Sequence, residues 1–248
     1  MAHKRSTTSA PSLPSPEDAE DGGVAEGPGI DDAPVRDALA GLDEHPMPTG
    51  WRHRSTWLYL VHLLAGVAAI VASFILSADA LYSARHPDTL LDCDLNAKVS
   101  CSTVAQSWQA EIIKLGDLSF PNAYFGIAAE SVFITIAVLG LSRVVFPKWF
   151  ALCAWLGNLA ALLYAYWLLS QSLFVINALC PWCILLMFST TIQFMALSHA
   201  TVTVQGLPAR PRRLATYYRL GADLLVDVVW IVAIVAIILA VDGSAIFA

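Results

Sequence analysis

The sequence predicts an all-α integral membrane protein: a four-helix transmembrane bundle plus a fifth transmembrane helix, with an outer-face loop containing an amphipathic helix. Three observations carry that prediction. Of the 248 residues, 57% are hydrophobic and only 14% charged, with a mean hydropathy of +0.61, which is more apolar surface than a soluble domain of this length can bury. Five stretches, at about 57–78, 124–141, 150–170, 182–197 and 224–241, reach or approach the roughly 20 apolar residues that cross a bilayer. Basic residues fall unevenly around them: eight (Arg52, Arg54, Arg143, Lys148, Arg210, Arg212, Arg213, Arg219) lie on one side and three (Arg85, Lys98, Lys114) on the other.

Residues 1–50 are a different material. They hold ten of the twenty acidic residues and many Pro, Gly and Ser, with no apolar run long enough for a secretory signal. This composition predicts a disordered cytosolic tail ahead of a single transmembrane domain, 51–248. The net charge of −6 comes mainly from the tail, so it implies no acidic catalytic surface, and nothing in the chain resembles a nucleic-acid binder.

Cytoplasmic loops retain Lys and Arg, so the first span is expected to leave the N-terminus in the cytosol. With five spans, the loop 79–123, the turn before Cys180 and the C-terminus then face outward. That loop carries Cys93 and Cys101 as Cys-x7-Cys, and the fourth span opens with Cys180-Pro181-Trp182-Cys183. Two residues between sulfurs is the dithiol pattern of thiol-disulfide exchange. Disulfides persist on the oxidising face of a membrane and are rare in cytosol, so topology and cysteine chemistry agree without sharing a premise.

From Ser102 to Leu115 the apolar residues recur at mostly helical spacing until Gly116, which predicts an amphipathic helix lying on the membrane surface as a cap over the bundle. At the fourth span, Pro181 suits a first helical turn, so a helix is expected to start at or near Cys180. Its N-terminal dipole favours thiolate, the attacking form, on Cys180 and Cys183. One sulfur can then exchange with the loop while the other points into the bundle, where an electron acceptor would have to be lipid-soluble.

The arrangement resembles the vitamin K epoxide reductase family, in its bacterial branch of quinone-linked disulfide-forming enzymes. The resemblance covers roughly 57–199 and rests on Cys93-Asp94-x6-Cys101-Ser102, on Ser107, on Pro121-Asn122 entering the second span, and on Cys180-Pro181-Trp182-Cys183. In the other well-known quinone-linked oxidase family the two cysteine pairs come in the reverse order. The resemblance implies a relay. A reduced thioredoxin-fold partner on the outer face attacks Cys93 of a Cys93–Cys101 disulfide, Cys101 is reoxidised by Cys180, and Cys183 faces a membrane quinone of the menaquinone or ubiquinone class. It also implies that Asn122 donates a hydrogen bond to a quinone oxygen, with Ser107, Tyr124, Phe125, Met187 and Glu130 as further candidates for the pocket. Animal relatives carry a Tyr where this chain has Met187, which weakens the case for epoxide reduction. Some bacterial relatives fuse a thioredoxin-like domain after a fifth span; here Ala248 follows directly, and a separate partner in a cell inner or plasma membrane setting is expected.

Plainer readings stand beside these. The paired cysteines could form two inert disulfides or a zinc site, although Cys-x7-Cys is not a usual zinc spacing, and no metal is expected. Cys153, unpaired in the third span, reads as a small packing residue. Glu130 either relays protons to the quinone or faces polar neighbours, and Asn158 reads as an interhelical hydrogen bond. Asn177 fits a turn residue. The aromatic residues near span ends, among them Trp51, Trp57, Trp149, Tyr217 and Tyr218, read as interfacial anchors. The fifth span is expected to pack outside the four-helix core. A vitamin K quinone or epoxide reductase running the same relay is the rival enzyme; a non-enzymatic membrane protein with stapled loops is the rival of another class.

Overall fold

The computed structural model describes residues 50–86, 89–116, 118–207 and 212–246. The expected tail and Arg210 lie outside the described residues. Nine elements follow in order: α1 (Ser55–Arg85), α2 (Cys101–Ala105), β1 (Ile113–Leu115), β2 (Leu118–Phe120), α3 (Asn122–Leu141), α4 (Lys148–Gln171), α5 (Pro181–Thr203), α6 (Arg212–Arg219) and α7 (Ala222–Ile246). Short 3-10 turns occupy Trp51–His53 and Trp108–Ala110, and a π turn at Ser172–Ile176 extends α4. Five helices, α1, α3, α4 with its π turn, α5 and α7, are long and apolar enough to cross a membrane. The chain is a multi-pass membrane protein.

Prolines set the helix starts. Pro121 and Pro147 are the caps ahead of α3 and α4, and Pro181 is the first residue of α5 with Cys180 as its extended N-cap; a missing N–H costs nothing in a first turn. At 31 residues α1 is roughly 46 Å long, well beyond a hydrocarbon core of about 30 Å. Its surplus carries Asp79 out to the cysteine loop.

The central helix is α1, packed against α3 on one side and α5 on the other, while α4 packs on α5. Small residues allow the close approach. Ala69, Ala72 and Ser73 of α1 are completely buried, and a Cβ added at Gly140 of α3 would lie 2.4 Å from the Tyr59 ring. The Tyr59 hydroxyl accepts from Gln205 Nε2 at 2.9 Å. Around it, Tyr59, Phe133, Ile136, Phe146 and Leu197 form the largest apolar core. Helix α7 lies outside, with only 11% of its apolar window buried. It is fastened at both ends: Arg52 meets Asp223 at 3.4 Å, and Lys98 of the cysteine loop meets Asp242 at 3.2 Å.

The loop departs from the single amphipathic helix expected over 102–115. Helix α2 stops after five residues, a 3-10 turn follows, and β1 pairs antiparallel with β2 in the register Ile113↔Phe120, Lys114↔Ser119, Leu115↔Leu118. The cause is local. The Ser107 hydroxyl donates to the Val104 carbonyl at 2.7 Å while its backbone is extended, so the side chain competes with helix propagation. Beyond it the β-branched pair Ile112-Ile113 favours a strand, and Gly116 takes φ +61° at the turn.

Asp94 gathers the first half of the loop. Its carboxylate accepts from the Leu91 N–H at 2.9 Å, the Ser100 hydroxyl at 2.9 Å, the Ser102 N–H at 3.0 Å and the Ser102 hydroxyl. Ser100 in turn caps α2 by accepting from the Thr103 N–H at 3.1 Å. Burial works against the charge, but the Ser102, Leu91 and Ser100 donors outweigh it and hold the Asp94 carboxyl at about 2, below its ordinary 3.8. A depressed folded-state value means the clasp contributes fully at pH above about 4 and is lost as pH falls from there toward 2. Hydrogen exchange of the 94–103 amides, corrected for its intrinsic pH dependence, should therefore rise over that acid window in the parent. In Asp94→Ala it should already be fast at neutral pH; slow exchange in that variant would remove Asp94 as the organiser of the loop.

Candidate redox site

Two strands of irregular backbone make the site. Residues 98–100 of the loop run parallel to Leu179 in a single β-bridge: Leu179 N–H donates to the Lys98 carbonyl at 2.7 Å, and Ser100 N–H donates to the Leu179 carbonyl at 3.0 Å. The next residue on each strand is a cysteine. Cys101 opens α2 and Cys180 caps α5, and their sulfurs stand 3.3 Å apart, both nearly fully buried.

Cys93 and Cys101 form a disulfide, with Cα atoms 5.7 Å apart, while Cys180 and Cys183 are thiols. The disulfide packs with Leu76, Leu91, Val104 and Trp182. Asp79 from the end of α1 places Oδ2 3.8 Å from the Cys93 sulfur. Asp79, Cys93 and Cys101 bring their polar atoms within 4.8 Å of one another, but the disulfide occupies both sulfurs that a metal would use. The hydrogen bond to the Cys183 thiol, seconded by the N–H groups of Cys183 and Trp182, lowers the Cys180 thiol below its ordinary range; burial and Asp79 oppose this. The Cys180 thiol thus stands beside the Cys101 end of the loop disulfide.

Behind the cysteines lies a cavity of about 420 Å³, between α1, α3, α4 and α5 and under the loop. Cys180 and Cys183 reach it from α5, and Cys101 from the cap. Of the residues singled out in the sequence, Asn122, Ser107, Phe125, Glu130 and Met187 also line it. Tyr124, expected beside Phe125, is not among the lining residues: neighbouring positions on a helix point about 100° apart. Cys93 is likewise not among them. The Asn122 Nδ2 donates to the Gln109 carbonyl. About 12 Å further along α3, Glu130 is buried and its Oε2 accepts from Gln193 Nε2 at 2.6 Å. Close packing makes that pair possible, since a Cβ at Gly66 would lie 2.9 Å from Gln193 Nε2. His62 completes the layer, with Nδ1 3.1 Å from the Gln193 carbonyl oxygen.

Several residues escaped the sequence reading. Asp79 sits six residues before the end of an apolar helix, Gln109 is buried in the cap, Tyr164 and Thr190 line the cavity, and Gln193 holds Glu130. The available signal for Gln193 and Thr190 was a polar side chain inside an apolar span. Two expectations need correction. Asn158 is completely buried, but neither polar atom of its side chain has a hydrogen-bond partner among the described residues. Cys153 is exposed on the outside of α4 and packs no core. Asn177 does make the turn, with φ +56° and its Nδ2 3.4 Å from the Val175 carbonyl. Tyr218 is more than an anchor, because its ring lies 4.4 Å from that of His199.

A search of curated proteins found no match to the chain. The sequence model of the Vitamin K epoxide reductase family matches residues 60–198, more than half of the chain and a span that contains α1 from its second turn, both cysteine pairs, the cavity and most of α5. The disulfide, the Cys180–Cys183 thiol pair and five apolar helices agree with that match, and the chain belongs to the Vitamin K epoxide reductase family of membrane thiol oxidoreductases.

Proposed function

We propose that the protein is a quinone-linked disulfide-forming enzyme that oxidises a separate thioredoxin-fold partner outside the cytoplasm. The observation that carries this reading is the 3.3 Å approach of Cys180 to Cys101 at the rim of a cavity reached by Cys183. The residues fit a quinone. The cavity is mostly apolar, its volume suits a substituted ring, and an amide N–H of Asn122 stands at one end. A bound quinone would supply an acceptor for two electrons and two protons.

The chain's own part is thiol exchange. The partner's thiolate attacks Cys93, its second thiol releases that bond, and the loop pair is left reduced. Cys101 then attacks Cys180 of an oxidised inner pair, Cys183 leaves as a thiol, and attack by Cys93 on Cys101 restores the loop disulfide. The outcome is the arrangement of the structure, an oxidised loop pair over two inner thiols, with two electrons beside the cavity. Net, partner dithiol and quinone become partner disulfide and quinol. Glu130 holds a carboxyl at the deep end of the cavity and is the group assigned to proton exchange there. Met187, buried in the lining, offers no hydroxyl donor, which favours quinone over epoxide as the substrate.

Transfer to an extracytoplasmic partner requires the orientation read from Arg and Lys, with the N-terminus cytosolic. After reduction, Cys93 and Cys101 in sealed cells should be labelled by a membrane-impermeant thiol reagent, and a reporter fused ahead of residue 50 should be protected from external protease. The opposite pattern would reverse the protein in the membrane.

Cys180→Ser leaves Cys183 beside the cavity without its partner thiol. With added quinone this variant should develop a new visible absorption band from thiolate against an electron-poor ring, Cys183→Ser should not, and both should lose partner oxidation. A Cys183→Ser protein that reduces quinone at the parental rate sinks the relay.

Asn122→Ala should weaken quinone binding by about 1–3 kcal/mol, the worth of one buried hydrogen bond, with thiol exchange among the cysteines intact. Glu130→Gln should keep quinone affinity and slow quinol formation. Titration of each variant with quinone separates the two effects, and unchanged parameters would return both residues to a packing role.

A further inference from the structure

The fifth transmembrane helix carries three acidic residues, buried Asp223, half-buried Asp227 and buried Asp242, and the last of them reaches the redox loop. Asp242 is 2% exposed at the end of α7 nearest the cysteines, and its Oδ1 lies 3.2 Å from Lys98 Nζ. Its Oδ2 is buried without a hydrogen-bond partner among the described residues. A carboxylate in such a place depends on its cation. Residues 222–246 also lie outside the span that the family model matches, so family membership assigns them no role.

Lys98 is held at both ends. Its carbonyl accepts from Leu179 N–H at 2.7 Å in the bridge that leads to Cys180, and its own N–H donates to Asn96 Oδ1 at 2.9 Å. Its side chain fastens the same segment to α7. From below, Ile234 and Ile238 of α7 pack in one cluster with Leu173, Leu179 and Met187. Helix α7 therefore supports the Leu179 strand through apolar contact and ties the Lys98 strand through charge. Three residues beyond Lys98 comes Cys101.

We propose that Asp242, through Lys98, is a positioning residue that keeps Cys101 within reach of Cys180. The inference rests on the relay reading of the four cysteines, but not on quinone or on a partner. The step it governs is an isomerisation: Cys180 thiolate attacks the Cys101 sulfur, the Cys93–Cys101 bond breaks, a Cys101–Cys180 bond forms, and Cys93 leaves as thiolate and takes up the proton that Cys180 gave up. No oxidant enters or leaves.

The test uses the full chain carrying Cys183→Ala, which removes the thiol that would compete for Cys180, in detergent with neither quinone nor partner. Acid quenching, alkylation and peptide mapping give the ratio of the Cys101–Cys180 isomer to the Cys93–Cys101 isomer. Lys98→Gln and Asp242→Asn should each lower that ratio by about five- to tenfold, the scale of a contact coupling. Lys98→Arg, which keeps the charge, should hold the parental ratio, and the exchange Lys98→Asp with Asp242→Lys should recover most of it. The Lys98 side chain is 34% exposed where that of Asp242 is 2%, so Lys98→Gln remains informative if Asp242→Asn fails to fold. A parental ratio in Lys98→Gln would overturn the positioning role and leave the relay intact; absence of the Cys101–Cys180 isomer in the background protein would overturn both.

Discussion

Everything at the redox site depends on one backbone pairing, the parallel bridge of residues 98–100 with Leu179. Two hydrogen bonds, from Leu179 to Lys98 and from Ser100 to Leu179, align two chain segments so that the residue after each is a cysteine. Neither segment is regular structure, and each is pinned elsewhere: the loop by the Asp94 carboxylate and the disulfide, the Leu179 strand by the π turn and the start of α5. Buried backbone groups must find partners, and here the partner chosen decides which sulfurs meet. Cys101 is buried against Cys180, and Cys93 is left at the side facing Asp79. The two members of the loop pair thus have different neighbours, as a directional exchange needs.

The cavity beneath shows how the bundle admits polar groups into an apolar setting. Among the described residues Glu130 is matched by the Gln193 amide and by no cation, in a layer that also holds His62, and the helices approach closely there because position 66 is glycine. The outer end is polar for a different reason. Asn122 sits at the start of α3, where the first turn leaves backbone groups unpaired, and its side chain turns back to the Gln109 carbonyl of the cap. Between the two ends the lining is mostly Ala, Gly, Leu, Ile and Phe, with Tyr164, Met187 and Thr190 among them. A flat apolar ring with polar groups at its edges matches that distribution.

Much of this was legible in the sequence, and the boundary has a physical basis. Five spans follow from composition alone, and the start of α5 follows from Pro181. The two cysteine pairs were legible as motifs, and Asp94, Ser102 and Asn122 stood beside them. What stayed hidden depends on residues far apart along the chain. Gln193 is a polar residue among many until the fold sets it against Glu130, and nothing near Lys98 points to Asp242. The cap was misread because Val104, Trp108, Ile112 and Leu115 satisfy a helical period that the Ser107 side chain interrupts. Periodicity counts apolar positions and takes no account of a hydroxyl bonding its own backbone.

The π turn at 172–176 makes chain length a constrained property of the segment before Cys180. Such a turn closes its hydrogen bonds over one residue more than an α turn, and Ser172 and Ile176 both face the cavity as a result. Removing any one residue between 172 and 176 would let α4 continue as an ordinary helix. Everything after it would then be shortened by about 1.5 Å and rotated by about 100°, taking Leu179 out of register with Lys98 and Ser100. Substitutions at the exposed Phe174 and Val175 are cheap by comparison, whereas Leu173 is buried against Leu179, so variation among related chains is expected in residue type at 174 and 175 and not in residue number.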